Sequence, residues 1–352
     1  MRVLYLSNIE VPYRSRFFDE LSKNCDLNVL YERKFSSNRN KEWANSVKGN
    51  YRKMYLDGYK IGRESSFSLK IFNHIKAGWD LVVVGCYNSK IQMLAILYMR
   101  YNKIPFIINL DGEPFIGHGI KSIAKKFFLK GANAYLVAGR HSADSLKQVL
   151  GNKVPIVPYY FSSMDDNEIK ENGKLDYKRN KTVLVIGQYF PYKGMDIAFK
   201  VACKDLSIKY KFIGMGLRTS NFLNDFKSIP PNVEIIPFLQ IDDLKKEYMT
   251  CSMLLLPTRQ ECWGLVVNEA ASFGMPIVST WGSGAANEFL GKKYSKYLTE
   301  PEDVNALYDC VKKCLYSNNE NYSNYLKEMS RNYTIEKMVQ CHINLFCKIL
   351  GK

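Results

Sequence analysis

Short apolar runs alternate along the chain with longer segments of helical or mixed character. Such runs, bounded by polar or turn-forming residues, are typical of buried strands. They are Val3 to Leu6, Leu27 to Tyr31, Leu81 to Val84, Phe106 to Leu110, Ala134 to Val137, Val183 to Ile186, Lys211 to Ile213, Val233 to Ile236, Met253 to Leu256 and Ile277 to Val278. Strands that alternate with helices indicate parallel sheets covered on both faces, so we predict an α/β protein.

A polar segment, residues 162–174, separates the two series of apolar runs and has few large apolar side chains. That composition is typical of a linker between domains. A chain of 352 residues is long for one ordinary domain and comfortable for two. We therefore predict an N-terminal domain over residues 1–162, a linker over 163–180 and a C-terminal domain over 181–334.

The final segment, residues 335–352, has the spacing of one apolar helix face. Its apolar positions are 335, 338, 339, 342, 343, 346, 349 and 350. Positions three and four residues apart share a face of a helix, so the spacing predicts a single amphipathic helix here.

Two carboxylates, Glu261 and Glu269, lie eight positions apart across an apparent turn from strand to helix. The apolar run that ends before Pro257 predicts a strand, and residues 265–273 have helical periodicity. Glu261 is then expected in the loop and Glu269 on the helix. Ligands of open α/β sheets bind beyond the carboxyl ends of the strands, where both acids and Gly264 would lie.

A glycine loop follows the next predicted strand. Gly282, Ser283 and Gly284 lead into a helix start near Ala285. The backbone N–H groups of such a loop can bind an anion, so the pattern predicts a phosphate cradle.

With these flanks, the stretch from Pro257 to Leu290 resembles the signature of the GT4-type retaining glycosyltransferases, the glycosyl transferases group 1. Their pattern is Pro, a small residue, Glu, an aromatic residue and Gly, then Glu-Ala, then Gly-x-Pro. The similarity continues upstream in Val183 to Gln188, Lys193 to Asp196, Phe212 to Gly216 and Val233 to Phe238. The resemblance implies the GT-B fold, two Rossmann-like domains with parallel sheets facing across a cleft.

In that family the C-terminal domain binds most of the donor, the N-terminal domain binds the acceptor, and a terminal helix packs back toward the N-terminal domain. Residues 335–352 are expected to be that helix. By resemblance Lys193 clamps the diphosphate, although a surface lysine in a loop is the alternative. Glu269 is expected to accept hydrogen bonds from the ribose, and Glu261 to contact the sugar near its reacting carbon.

The chain departs from the family after Gly187, where Gln188 takes the place of the usual arginine and brings no charge. Arg259 or Arg218 could compensate, since either guanidinium suits a phosphate, although both are equally typical surface residues. The implied donor contacts are Gly187, Gln188, Lys193, Gly216, Arg259, Trp263, Gly264, Leu265 and Glu269.

In the first half, Asp111 follows a predicted strand at the place where many relatives carry a histidine that meets the donor sugar. It is the catalytic candidate there, beside Glu261 and Lys193. Glu113 and His118 are alternatives, and a turn at Asp111-Gly112 is a structural one. Arg14 and Arg16, after the first strand, suit an anionic acceptor or a phosphate. A similar stretch in enzymes of bacterial surface-polysaccharide assembly implies a saccharide or lipid-linked acceptor.

The composition, 46% hydrophobic and 24% charged, is that of a soluble globular protein. No apolar run approaches the roughly 20 residues that span a bilayer, and the first residues do not read as an export signal. The 9 cysteines form no Cys-x-x-Cys pair, so reduced core thiols are expected. Cys262 is the exception, because it follows Glu261; a small loop residue is expected there, with a catalytic thiol as the alternative. A cytoplasmic protein, or one peripheral to the inner face of the cell membrane, is expected.

A formal charge of +16 indicates an acidic partner. The lysines are spread along the chain and no nucleic-acid-binding motif is present, which disfavours nucleic acid. In residues 120–130 the apolar positions follow helical spacing with lysines on the other side. This segment is expected either to lie on an anionic membrane or to be an ordinary helix with its apolar stripe in the core.

No Asp-x-Asp follows a strand as in metal-dependent transferases, so we expect no metal and no cofactor, with the nucleotide-sugar as substrate. A retaining glycosyltransferase is favoured by Lys193, Glu261 and Glu269 together, with a UDP-sugar as the first donor to test. The alternatives are a non-catalytic GT-B binder of sugar nucleotides, a GT-B epimerase or hydrolase, and a nucleic-acid binder.

Overall fold

The structure is a computed structural model that describes residues 1–34, 49, 51–56, 58–61, 65–85, 87–112, 120–174 and 179–351. It divides into two compact units. The first unit contains Met1–Ser163 and Ile335–Lys352, and the second contains Met164–Thr334. Glu113 and His118 lie outside the described residues.

The first unit is built on a parallel sheet whose central strands are apolar on both faces. The strands are β1 (Arg2–Ile9), β2 (Asp26–Arg33), β3 (Arg52–Tyr55), β4 (Tyr59–Ile61), β5 (Ser65–Phe67), β6 (Leu81–Val84), β7 (Phe106–Leu110), β8 (Ala134–Ala138) and β9 (Ile156–Tyr159). In the described residues the large sheet has the order β3-β2-β1-β6-β7-β8-β9, and β4 pairs with β5 as a separate antiparallel ribbon. Every residue of β6, β7 and β8 is buried, as expected for strands covered by helices on both sides.

The covering helices of this unit follow the strands in the chain. They are α1 (Pro12–Ser22), α2 (Ile71–Ile75), α3 (Lys90–Tyr101), α4 (Ile120–Leu129) and α5 (Arg140–Leu150). Proline at the first position of α1 suits a helix start, because its missing N–H has no partner there in any case.

The second unit repeats the same plan with its own sheet. Its strands are β10 (Thr182–Ile186), β11 (Lys209–Ile213), β12 (Val233–Ile236), β13 (Met253–Leu256), β14 (Ile277–Thr280) and β15 (Leu298–Thr299), in the parallel order β12-β11-β10-β13-β14-β15. Its helices are α6 (Asp166–Lys174), α7 (Met195–Ala202), α8 (Thr219–Asp225), α9 (Ile241–Thr250), α10 (Leu265–Ser272), α11 (Gly284–Leu290), α12 (Val304–Tyr316) and α13 (Glu320–Ser330). Each apolar run named above falls on a strand, and the α/β fold class is confirmed.

The segment 163–180, predicted as a linker, contains helix α6 of the second unit. Ile169 and Asn172 are buried, and the Asn172 side-chain amide donates to Ser272 Oγ at 2.9 Å. The helix is polar because most of its surface faces solvent, which is why its composition resembled that of a linker.

The last helix, α14 (Ile335–Leu350), belongs to the first unit and packs on α1 and β9. His342 is fully buried on it, with Nδ1 2.8 Å from Met338 O and Nε2 2.8 Å from Asn109 Oδ1 of β7. Burial lowers the pKa of His342 to about 3, so the ring is neutral. The neutral ring donates from Nδ1 to Met338 O and therefore accepts at Nε2. The Asn109 side-chain amide must then turn its NH₂ group, rather than its oxygen, toward His342 Nε2.

The cysteines of the described chain form no disulfide. Cys251 and Cys314 are buried, whereas Cys203 and Cys262 are exposed, so the expectation of core thiols was wrong for Cys203. No helix among the described residues is long and apolar enough to cross a membrane.

The buried His342 makes the first unit sensitive to acid. In the unfolded chain the His342 ring has an ordinary pKa near 6.5, whereas in the folded unit its pKa is about 3. Between these two values the ring is protonated in the unfolded state and neutral in the folded state. Acid therefore favours the unfolded state. We expect the difference in unfolding free energy between wild type and His342→Gln to shrink by about 1.4 kcal/mol per pH unit from about pH 6 to pH 4. Urea denaturation across this range measures it, and a difference independent of pH would contradict it.

Candidate functional site

The strand order of the second sheet reverses between β10 and β13, its two central strands. Strands β11 and β12 follow β10 in order on one side of it. Strands β13, β14 and β15 follow in order on its other side. The carboxyl ends of β10 and β13 are therefore the switch point of the sheet, where open α/β sheets bind ligands, and we call this place the crevice. The loops that leave these ends, residues 187–194 and 257–264, carry Lys193 and Glu261.

The two loops are joined by backbone contacts. Tyr192 O accepts hydrogen bonds from Thr258 Oγ1 at 2.7 Å and from Arg259 N at 2.8 Å. Gly194 has φ +68°, and a Cβ there would overlap Pro257 O. Only glycine permits this approach, which brings Lys193 beside the loop that holds Glu261.

A third segment, residues 280–286, packs against the other side of the Glu261 loop; it contains the end of β14, the loop after it and the start of α11. Glu261 N donates to Gly282 O at 2.8 Å, and Gly284 N donates to Glu261 O at 3.2 Å. A Cβ at Gly282 would lie 2.6 Å from Thr258 O. The glycines of this loop are thus explained by close packing of two backbones.

The predicted phosphate cradle in this loop is not supported, because its amides already have partners inside the unit. Gly282 N donates to Thr280 Oγ1 and Ser283 N to Thr280 O, both at 3.3 Å. Ala285 N donates to Trp263 O at 2.9 Å, and Ala286 N is capped by Ser283 Oγ at 3.2 Å. A phosphate would have to displace these bonds to use the amides.

Lys193 and Glu261 form an ion pair between Nζ and Oε2 at the crevice. Their side chains are 24% and 17% exposed, so the pair is shielded but within reach of solvent. An incoming diphosphate would offer the lysine a stronger, doubly charged partner and leave the carboxylate to a different neighbour. The arrangement is suited to exchange one anion for another at Lys193.

Glu269 projects from α10, the helix that follows the Glu261 loop. Its Oε2 accepts a hydrogen bond from Tyr248 OH at 2.7 Å, and the carboxylate is partly buried. Burial and then the charge of Glu269 raise the pKa of Tyr248 well above its ordinary range, so the tyrosine remains a proton donor.

Arg259 does not supply the missing charge of the diphosphate clamp. Its guanidinium makes a two-pronged ion pair with Asp196 at 2.8 and 2.7 Å and a second ion pair with Glu302. It also donates to Pro191 O at 2.6 Å. Two carboxylates neutralise its charge and it fastens the Lys193 loop, which is a structural role.

Arg218 lies over an aromatic ring. Its guanidinium carbon is 3.9 Å from the centre of the Phe190 ring, and Phe190 stacks on Tyr192 at 5.3 Å. Gln188, in the loop after β10, is partly buried. Among the described residues, Lys193 is the cation that pairs with the Glu261 carboxylate.

Trp263, expected to contact the donor, is buried in the second unit. It is 2% exposed, its Nε1 donates to Asn268 Oδ1 at 2.9 Å, and its ring lies 5.9 Å from that of Tyr333. The aromatic position of the motif is thus a core position here. Gly264, next along, has φ +104° and starts α10 in a conformation that favours glycine.

Three other expected donor contacts lie at loop and helix starts. Gly187 N donates to Ile213 O at 2.9 Å, directly after β10. Gly216 has φ +54° with open space where a Cβ would be. Leu265 is the partly buried first residue of α10.

In the first unit, Asp111 follows β7 and forms an ion pair with Arg14. Tyr159 OH also donates to Asp111 Oδ1 at 3.2 Å. Arg14 is only 6% exposed and lies 5.0 Å from the Phe161 ring, and Arg16 Nη1 donates to Ser163 O at 2.8 Å. Arg14 therefore fixes Asp111 in place, and its burial argues against the expected direct contact with a phosphate.

Two sets of side-chain contacts in the structure are not among the predictions from the sequence. Glu10, directly after β1, pairs with Lys53 and accepts a hydrogen bond from Tyr55 OH at 2.9 Å. Its signal, an acid at the carboxyl end of a strand, was present. Tyr248 beside Glu269 had no local signal, because the two residues meet only in the folded unit.

No cluster of three or more His, Cys, Asp or Glu side chains is placed to hold a metal ion in the part of the chain that the structure describes.

Comparison with known proteins shows which family part of the chain is similar to. Residues 166–338, which include the whole crevice, match the glycosyl transferases group 1. The rest of the chain lies outside this match.

The sequence relatives are glycosyltransferases by name. An uncharacterized glycosyltransferase of Haemophilus influenzae is 32% identical over 189 residues, 51% of this chain and 52% of that protein. A second, of Methanocaldococcus jannaschii, is 26% identical over 81% of this chain and 77% of its own length. The O-antigen biosynthesis glycosyltransferase WclY of Escherichia coli is 25% identical over 34% of this chain and 36% of its own. The chain thus spans about half the length of the first of these relatives.

Solved structures share the fold of the whole chain. Sucrose-phosphate synthase of Thermosynechococcus elongatus has a TM-score of 0.74 at 12% identity and covers 100% of both chains. HepE of Anabaena, solved in complex with UDP, has a TM-score of 0.74 at 13% identity and covers 99% of this chain and 100% of its own. The fold predicted from the sequence, GT-B, is confirmed.

The close packing at Gly194 can be tested by adding a methyl group. Gly194→Ala would force Cβ into Pro257 O, whereas Gly216→Ala, also with positive φ, meets open space. We expect Gly216→Ala to lower the unfolding free energy by about 1 kcal/mol through backbone strain alone. Gly194→Ala should lose about 2 kcal/mol more, measured by urea denaturation. Equal losses for the two variants would contradict the account.

Proposed function

We propose that the protein is a retaining glycosyltransferase. It transfers a sugar from a nucleotide-sugar donor, in the first place a UDP-sugar, to a saccharide or lipid-linked acceptor in cell-surface polysaccharide assembly. The observation that carries the proposal is the Lys193–Glu261 ion pair at the switch point of the second sheet, with Glu269 on the next helix. The UDP bound by HepE supports the donor, and the O-antigen role in the name of WclY supports the acceptor.

The breaking glycosidic bond leaves negative charge on the diphosphate. A preorganised cation stabilises that charge better than water does, because it need not reorient during the reaction. Lys193 supplies this cation, and its ion pair with Glu261 holds it at the crevice before the donor arrives. Glu261, released from the lysine, then accepts hydrogen bonds from the sugar near the reacting carbon.

Retention follows from reaction on one face of the sugar, with the leaving phosphate taking the acceptor's proton. This scheme needs no pair of acid and base carboxylates as in glycosidases. Asp111, paired with Arg14, is the catalytic candidate of the first unit and acts as a hydrogen-bond acceptor. We propose that neither a metal nor another cofactor takes part; full turnover in excess chelator is the expected observation.

A second function deserves a test because of one residue. Gln188 brings no charge where relatives have arginine, and Arg259 is neutralised by Asp196 and Glu302. A non-catalytic binder of sugar nucleotides would manage with Lys193 alone. A GT-B hydrolase or epimerase would consume the donor without an acceptor. Donor turnover measured with and without saccharide acceptors separates these cases from the transferase.

A thermal-shift panel of uridine, guanosine and adenosine sugar nucleotides tests the donor directly. A ligand at a hundred times its dissociation constant adds about 2.7 kcal/mol of stability. We expect a UDP-sugar to give the largest rise in melting temperature. No shift with any member of the panel would overturn the proposed function.

Removal of the lysine charge should disable the site. We expect Lys193→Ala to lower kcat/KM for the donor by about 100-fold, because one preorganised charge at the leaving group is lost. Lys209→Ala is the matched control, since Lys209 is exposed at the start of β11, at the amino ends of the strands and so away from the loops that carry Lys193 and Glu261. Steady-state kinetics on both variants decide the matter. Equal rates for the two would contradict a role for Lys193.

We also propose that α4 rests on an anionic membrane at the inner face of the cell membrane. Of its apolar stripe, Ile123 is 69% exposed and Phe127 48% exposed, so these residues do not pack in the core. Lys126 and Lys130 are exposed beside them. Exposed apolar residues next to lysines suit the boundary between acyl chains and acidic headgroups.

Vesicle binding tests the membrane contact. We expect Phe127→Ser to weaken sedimentation with vesicles containing phosphatidylglycerol, because buried apolar area is lost. Tyr101→Ser is the matched control, an 88% exposed aromatic on α3 of the same unit, and should bind as wild type does. The membrane contact would be refuted if the wild-type protein did not sediment with such vesicles. It would also be refuted if Phe127→Ser bound them as well as the wild type does.

A further inference from the structure

We propose that Tyr248 is a positioning residue that orients the Glu269 carboxylate for the ribose of the donor nucleotide. The inference rests on the proposed function and goes further, since it assigns ribose recognition to a pair of residues from two helices. Tyr248 lies on α9, before β13, and Glu269 lies on α10, after it.

The tyrosine is held rigidly. It is 2% exposed, and its ring stacks on Phe273 at 5.6 Å with an angle of 13° between the planes. Its OH donates to Glu269 Oε2 at 2.7 Å, a length typical of a hydrogen bond to a charged acceptor. The hydroxyl can therefore serve as a fixed point for the carboxylate.

The carboxylate needs such a point. The last torsion of a glutamate side chain is broad, so a donor that bonds to the Glu269 carboxylate narrows the orientations of its plane. To accept from both ribose hydroxyls, the two oxygens of the carboxylate must face them, which requires one orientation of the carboxylate plane. A donor that fixes Oε2 selects that orientation before the nucleotide arrives and reduces the entropy lost on binding.

The tyrosine also keeps its proton in the working range of pH. Burial, and then the neighbouring charge of Glu269, raise its pKa well above the ordinary range of tyrosine. It donates to the carboxylate at every pH at which the enzyme would act, so the effect should not vary with pH between about 6 and 9.

The chain provides a matched control for removal of this hydroxyl. Tyr210, on β11 of the same unit, is 1% exposed, and its OH has no hydrogen-bond partner among the described residues. Tyr210→Phe makes the same chemical change at a buried site without removing a bond. Tyr248→Phe and Tyr210→Phe therefore differ in the bond to Glu269.

The test compares the binding of UDP and 2′-deoxy-UDP by titration calorimetry. For wild type and Tyr210→Phe we expect the 2′-deoxy ligand to bind about ten-fold more weakly, the cost of an unmade hydrogen bond to a carboxylate. For Tyr248→Phe the ratio should fall toward one, because the carboxylate loses the donor that holds Oε2. With a UDP-sugar donor, the same variant should show a raised KM and a nearly unchanged kcat.

The outcomes separate this inference from the proposed function. A wild-type protein that binds UDP while Tyr248→Phe keeps the full ratio overturns the role of Tyr248 and leaves the transferase standing. A wild-type protein that binds no uridine, guanosine or adenosine nucleotide overturns the transferase and this inference together. If Tyr248→Phe only lowered the stability of the protein, it would weaken the binding of UDP and of 2′-deoxy-UDP equally. The ratio of the two affinities would then keep its wild-type value, which also counts against the proposal.

A second measurement keeps the hydrogen bond in place, in case Tyr248→Phe fails to fold. 3-Fluorotyrosine incorporated at position 248 reports on the bond by its fluorine resonance. We expect the resonance to shift when UDP binds and to shift less with 2′-deoxy-UDP, because the ribose competes for the same carboxylate. A resonance that does not respond to bound UDP contradicts the proposal.

Discussion

The close approach of two backbones at Gly194 is the constraint on which the rest of the second unit depends. The loop after β10 can carry a lysine to the Glu261 loop only if no side chain stands between position 194 and Pro257 O. Tyr192 O, Arg259 and Asp196 then fasten the two loops from both sides. The strand order creates the crevice, and this contact decides which charges stand in it.

The charges of the crevice have distinct tasks because they have distinct partners. Arg259, neutralised by two carboxylates, holds a loop in place. Lys193, with Glu261 as partner, stays at the opening and can exchange that carboxylate for a phosphate. Glu269, bonded to a buried tyrosine, is fixed in orientation and suits the recognition of hydroxyl groups. In the first unit, Arg14 holds the Asp111 carboxylate by an ion pair, as Tyr248 holds the Glu269 carboxylate by a hydrogen bond.

The strands, the fold class and the loop positions of Lys193 and Glu261 could be predicted from the sequence, because apolar runs and turn residues act locally. The partners of the polar residues could not. Arg259 reads as a free cation until Asp196 and Glu302 are seen beside it, and Trp263 reads as a ligand contact until Tyr333 covers it. The amides of residues 282–286 suggested a cradle because glycines permit both anion binding and tight packing, and only the fold distinguishes these uses. Helix α6 was missed because an exposed helix and a linker share a polar composition.

The central claim is that one crevice of the second unit grips an activated sugar through Lys193, Glu261 and Glu269. A crystal structure of the protein with bound UDP is the most direct measurement. The account predicts a diphosphate oxygen within hydrogen-bond distance of Lys193 Nζ and the ribose hydroxyls on the Glu269 carboxylate. A nucleotide bound elsewhere, with the lysine still paired to Glu261, would contradict it.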